Sequence, residues 1–225
     1  MNIIQPTYEI LTPISEGGIQ ELKFIEQIAR KCYKSEDRIT EDGESAKQMA
    51  KLLVENHHEA MIEHSQLSVL FTVDRGVSHE VVRHRLASFA QESTRYVNYA
   101  KEKFGSEIYF INPESGIGLD TKMKDLDAET VGMILNEWHQ AMYDAENHYM
   151  KMIELGATPQ IARSVLPHST KTEIVVTANY REWKNIFNLR TPISAHPQMR
   201  EMMIPLLKDV QNRIPIIFDD IIIKE

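Results

Sequence analysis

The sequence predicts an α+β fold: a single domain over residues 1–225 that combines an antiparallel or mixed sheet with long helices. Apolar residues recur at helical spacing in several long stretches, while separate short runs have strand composition. Helices and strands also follow one another without the βαβ rhythm of a doubly wound sheet. The 225 residues, 42% hydrophobic and 26% charged, suffice to bury a core without staples and exclude a disordered chain.

Taken in order, Thr7–Thr12 has strand character and is closed by Pro13 and the Gly17-Gly18 turn. Leu22, Ile25, Ile28, Ala29 and Cys32 then recur at helical spacing, which predicts a helix over about 19–34. Cys32 falls on the apolar face of that helix and is expected in the core as a small hydrophobe. A second helix is predicted from about 45 to 56, with Ser45 as its cap. Leu67–Val73 is a strand ending at Asp74-Arg75-Gly76. The next helix is expected from Val77-Ser78 and carries Val82, Leu86 and Phe89 at i, i+4 and i+7. Asp127 caps a long helix to about 155, whose stripe is Val131, Leu135, Trp138, Met142, Ala145, Tyr149 and Met152. Gly156 suits the position just past its end. Thr158-Pro159 reads as the cap and first residue of a short helix stopped by Pro167. Glu173–Ala178 is a strand, and Asn179 caps a helix to about Leu189. After a Thr191-Pro192 turn, His196-Pro197 opens a last helix that Pro205 is expected to kink or interrupt.

The net charge of −8 argues against a duplex nucleic-acid binder, which carries a broad basic face. Arginine is nonetheless unevenly placed. Six of the eleven are Arg83, Arg85 and Arg95, then Arg163, Arg181 and Arg190, and residues 96–162 contain none. Guanidinium forks match phosphate and carboxylate, so this pattern fits a small anionic ligand, with surface ion pairs as the alternative. The lone Cys32 allows no internal disulfide. Met1–Pro6 shows no leader pattern and no stretch is apolar enough to span a membrane, so a cytoplasmic protein without a membrane partner is expected.

The segment His57-His58-Glu59-Ala60-Met61-Ile62-Glu63-His64 is rich in potential ligands. No metal is expected there, because His58 and His64 are six apart and do not share a helix face. It reads either as a polar helix end or as part of an organic-ligand site. No Gly-x-Ser-x-Gly elbow occurs, and Gly116-Ile117-Gly118 lacks the third glycine of a phosphate loop. Ser88 and Ser93 lie near His84 in sequence, which is weak support for a triad. The most informative stretch is Arg83–Tyr96. If it is helical through Phe89, Arg83 and Arg85 point about 200° apart, towards two ligands or two ends of one. Gln91–Arg95 adds amide, hydroxyl and guanidinium donors suited to a phosphate or a pyrimidine ring.

The pattern Arg83-His84-Arg85-x-x-Ser88-x-x-x-x-Ser93-x-Arg95-Tyr96 resembles the signature of flavin-dependent thymidylate synthases. His58-Glu59-x-x-x-Glu63-His64 resembles that family's upstream segment. Ile161-Ala162-Arg163-x-x-Leu166-Pro167, Asn179-Tyr180-Arg181-x-x-x-Asn185-x-x-x-x-Arg190 and Ala195-His196-Pro197-Gln198 resemble its later elements, in order over residues 58–198. Phe89-Ala90 departs from a residue followed by asparagine, Ala60 from a hydroxyl residue, and Glu80 from a frequent glutamine. Two extra residues separate Arg190 from His196-Pro197-Gln198.

The resemblance implies reductive methylation of dUMP to dTMP. Methylenetetrahydrofolate is the carbon donor and FAD, re-reduced by NADPH, the hydride source. It also implies a homotetramer with shared sites and no covalent enzyme nucleophile. By the same resemblance, His58, Glu63, Arg83, His84, Arg85, Gln91, Asn179, Tyr180, Arg181 and Asn185 contact FAD. Glu80, Arg83, Gln91, Glu92, Ser93, Thr94, Arg95, Arg163 and Arg190 contact dUMP. Arg190 is the catalytic residue, facing the uracil ring and favouring its ionised form. Two other classes fit the residues: a non-catalytic nucleotide-binding module, and a flavin oxidoreductase without methyl transfer.

Overall fold

The structure, a computed structural model, describes residues 1–101 and 105–223. Its larger sheet has four strands in the order β2 (Thr7–Ile10), β3 (Gln66–Asp74), β6 (Lys171–Asn179), β4 (Ala87–Gln91). In β3 the period of two buries Leu67, Val69, Phe71 and Val73, and in β6 it buries Thr172, Ile174, Val176 and Ala178. A second sheet pairs β1 (Asn2–Ile4) with β5 (Tyr109–Ile111) in parallel, Ile3 opposite Phe110. The α+β class read from the sequence is the class observed.

By contacts the chain forms two compact units. One comprises Met1–Tyr8, Leu70–Arg83 and Phe89–Val175; the other comprises Glu9–Val69, His84–Ser88 and Val176–Glu225.

Within the first unit, the short α4 (Glu114–Leu119) precedes α5 (Ala128–Glu154), which starts at Asp127, whose carboxylate accepts the Thr130 N–H at 2.8 Å. Its expected stripe is buried at Met142 and Tyr149, which pack with Tyr99, Ile108, Phe110 and Ala162. Trp138 is partly buried beside them and donates to the Ser169 hydroxyl. Gly156 takes the left-handed conformation that ends the helix, with φ 93°. The short α6 (Pro159–Ala162) begins at Thr158 as expected.

In the second unit, α1 (Ile19–Tyr33) packs on α2 (Glu44–Glu55), and α7 (Tyr180–Arg190) packs on α8 (Pro197–Arg213) and on the 3-10 turn Glu59–His64. Trp183 is fully buried and its indole N–H bonds the Leu67 carbonyl at 2.9 Å, which pins α7 to β3.

Cys32 is exposed, its sulfur 3.8 Å from that of Met61, because the buried face of α1 runs through Leu22, Ile25, Glu26, Ala29 and Arg30. Ser45 is not the cap of α2. Gly43 holds that position at φ 82°, and the Ser45 hydroxyl bonds the buried Glu26 carboxylate instead. The helix expected to carry Val82, Leu86 and Phe89 stops early: α3 is Arg75–Val81, and Phe89 lies in β4. Leu86 is 76% exposed, so its helical spacing from Val82 buries nothing. Pro205 does not interrupt α8, where Met199, Met203, Leu206, Leu207 and Val210 are all buried. That burial outweighs the ~3 kcal/mol an internal proline costs.

Candidate active site

In the second unit, β6 ends in extended backbone at Asn179, whose side-chain oxygen accepts the Glu182 N–H at 2.8 Å and starts α7. Helical spacing then puts Arg181, Asn185 and Asn188 on one exposed side, while Glu182 and Lys184 are buried beside them. Together with Glu59, Glu63, Leu86 and Asn179 they line a cavity of about 650 Å³.

Charge inside this cavity is closely paired. Arg181 binds Glu63 at 2.5 Å and Glu59 at 3.5 Å. Lys184, 4% exposed, lies 3.0 Å from Glu59 and 2.8 Å from Asp220. The bond to Glu63 raises the pKa of the exposed Arg181.

A second chain of contacts leaves the cavity through Glu182. Its carboxylate accepts from Asn185 at 3.3 Å and lies 3.4 Å from Nδ1 of His84. On the far side of that ring, Nε2 accepts the Arg190 Nε–H at 3.0 Å. Burial and then the Arg190 charge hold the His84 pKa below its ordinary value, against the opposing pull of Glu182.

The first unit gathers another polar group. Gln91 donates to the hydroxyls of Ser78 and Thr172, and Arg163 donates to the Thr94 hydroxyl at 3.2 Å. The Glu92 carboxylate takes the Lys171 ammonium at 3.2 Å, and its carbonyl takes Arg75 Nη2. Burial alone would lower the Lys171 pKa; the bonds to Glu173 and Glu92 outweigh it and raise it. The buried Arg75 Nε has no hydrogen-bond partner among the described residues, while the Tyr99 phenol lies beside the Glu92 carboxylate. Burial, then the charge of Glu92, pushes the Tyr99 phenol well up.

The residues singled out in the sequence therefore separate. Glu63, Asn179, Arg181 and Asn185 share the cavity, and His84 and Arg190 bond each other. Thr94 and Arg163 also meet. Arg83 and Arg85 are exposed, not set on opposite sides of a helix, and form no ion pair among the described residues. Tyr180 is fully buried, its ring against Phe218, so its side chain belongs to the core. His58 lines a different cavity with Cys32 and Met61 and contacts the Tyr33 hydroxyl. Ser93 accepts the Arg95 N–H, and Arg95 lies over the Tyr96 ring. Glu80 is half-buried. Glu182, Lys184, Asp220, Arg75 and Tyr99 carry no role in the sequence reading, and Glu59 enters it only as part of the His58–His64 segment. For Glu182 a signal existed: Asn179-x-x-Glu182 has the spacing of a capping box, which marks the carboxylate as structurally committed.

This α+β arrangement is shared with solved structures. The structure matches PolB, a UMP/dUMP methylase from Streptomyces cacaoi solved with 5-Br dUMP, at TM-score 0.78 and 20% identity over 97% of this chain and 96% of that one. Residues 19–216 match the family described as thymidylate synthase complementing protein, and the chain belongs to that family. It is 28% identical over 208 residues to the flavin-dependent thymidylate synthase of Corynebacterium aurimucosum, covering 92% of this chain and 82% of that protein. With the enzyme of the same name from Pyrococcus horikoshii it shares 35% identity over 159 residues, 69% of this chain and 59% of that protein.

Proposed function

We propose that the chain, acting as one catalytic domain, is a flavin-dependent thymidylate synthase that methylates dUMP to dTMP. The observation that carries this reading is the cavity lined by Glu63, Asn179, Arg181 and Asn185, joined through Glu182 to the His84–Arg190 pair. Its volume of about 650 Å³ lies in the range of small-molecule sites, roughly 300–1,000 Å³. The donor set fits part of an anionic dinucleotide: amides at Asn179 and Asn185 and a guanidinium at Arg181. FAD held there would supply the hydride, with NADPH as the reductant that regenerates the reduced flavin. The carbon comes from 5,10-methylenetetrahydrofolate.

The residues themselves hold and polarise. Asn179, Arg181 and Asn185 hold the cofactor, and Arg163, Thr94 and Arg95 hold the nucleotide phosphate. Arg190 lies against the uracil ring and stabilises its anionic form, which raises electron density at carbon 5. No side chain attacks the ring: Cys32 lies against Met61 in a separate cavity. The enzyme works as a cytoplasmic homotetramer with sites shared between subunits. Purified protein is titrated with FAD, and tritium release from 5-tritiated dUMP is followed with and without methylenetetrahydrofolate. Cofactor uptake and folate-dependent release are expected; a protein that takes up no FAD sinks the proposal.

A further inference from the structure

The geometry points to Glu182 as a positioning residue: its carboxylate fixes His84 as the neutral tautomer protonated on Nδ1, so that Nε2 accepts from Arg190 and sets the plane of that guanidinium. A guanidinium nitrogen only donates, so the 3.0 Å contact from Arg190 Nε requires a lone pair on His84 Nε2. A neutral ring then carries its proton on Nδ1, and Glu182 Oε1 stands 3.4 Å away to receive it. Both partners are 6% exposed, so water competes little for either nitrogen.

Glu182 is itself held. Its backbone N–H is tied by Asn179, and its two carboxylate oxygens each lie 3.3 Å from Nδ2 of Asn185. One buried carboxylate thus orients a cavity amide and, through His84, a guanidinium at the other end of α7. The charged groups facing His84 are Glu182 and Arg190. Protonating the ring would remove the acceptor for Arg190 and set two cations against each other, and burial already disfavours that charge.

The consequence for turnover rests on the proposed role of Arg190; the tautomer does not. Long-range proton–nitrogen NMR of the full-length protein labelled at histidine nitrogens reads the tautomer directly near neutral pH, with His84→Asn assigning the signal. The parent is expected to show the proton on Nδ1 and a lone pair on Nε2. Glu182→Leu should move it towards Nε2 protonation, while Glu182→Gln, which keeps an acceptor, should preserve it in part. In turnover, Glu182→Leu should lower kcat by about tenfold or more with KM for dUMP little changed, and Glu182→Gln should recover part of it. A parent ring protonated on Nε2, or on both nitrogens, overturns the inference even if no variant folds. A tautomer unchanged in Glu182→Leu overturns the role of Glu182. A tautomer that moves while kcat does not refutes the positioning of Arg190 for catalysis, with FAD binding and dUMP turnover still standing.

Discussion

Lys184→Met removes a cation that is almost completely buried and leaves the side-chain volume nearly unchanged. The ammonium is 5% exposed at its side chain and lies 3.0 Å from Glu59 and 2.8 Å from Asp220. At an effective dielectric of about 20, each contact is worth roughly 5–6 kcal/mol of Coulomb energy. Desolvating three charged groups cancels most of that sum. Stranding a fully buried charge costs about 3–5 kcal/mol. Here the stranded carboxylates reach water, at 24% and 38% exposure, and Glu59 keeps Arg181. The net loss should therefore be about 2 kcal/mol, or roughly 4–8 °C in Tm for a chain of this length. Urea unfolding of the parent, Lys184→Met, Asp220→Asn and the double variant measures it, and the cycle isolates the Lys184–Asp220 coupling. The same substitution leaves the cavity more negative, so FAD should bind more weakly. If Lys184→Met is as stable as the parent, desolvation outweighs attraction and the reasoning fails.

Gly17 and Gly18 offer an internally controlled pair, at φ 62° and 66°. An added Cβ at Gly17 meets nothing within 4 Å, whereas at Gly18 it lies 2.8 Å from the Arg213 carbonyl oxygen. Gly18→Ala should cost at least about 1 kcal/mol more than Gly17→Ala in urea unfolding; equal costs would refute the close approach. Asp74, buried at the start of α3, accepts the Val77 N–H at 2.6 Å, so Asp74→Ala should lose about 1–2 kcal/mol and Asp74→Asn much less. His84, depressed below its ordinary value of 6.5 by burial and Arg190, is protonated more readily in the unfolded chain. Its contribution is therefore complete above about pH 6.5 and is lost as pH falls towards the folded value. Stability measured from pH 7.5 to 5 should fall less steeply in His84→Gln than in the parent; identical slopes would contradict the depressed value.

Elements with strong local signals were legible. The strands β3 and β6 alternate buried and open residues, and Asp127 and Asn179 cap the helices they precede. Three-residue strands carry too little alternation to read: β1 and β5 exist because Asn2–Ile4 meets Tyr109–Ile111 across a hundred residues of chain. In β4 the local signal misled. Val82, Leu86 and Phe89 satisfy a helical period, yet the Glu92 N–H pairs with the Glu173 carbonyl and Leu86 stays exposed. Cys32 failed for a related reason, since periodicity locates a stripe but not the point along the helix where its partner ends.

For the site, residue types in fixed order indicated a chemistry, while the pairings were set by tertiary structure. Lys184 sits between Trp183 and Asn185, and nothing local says that its partner is Asp220, 36 residues on. Glu182 is the sharper case. Three residues after the Asn179 cap, its carboxylate has the spacing to turn back to the cap's own backbone N–H. It turns inward to His84 and Asn185 instead. The helix start loses little by this, because the Asn179 side chain already satisfies the Glu182 N–H. The buried ring of His84 would lose more. Without Glu182 its Nδ1–H would sit unpaired at 6% exposure, a cost of about 1–3 kcal/mol, and the acceptor that Arg190 uses would no longer be fixed. A carboxylate with two possible partners goes to the one that water cannot reach, so burial of the ring determines the geometry of the arginine.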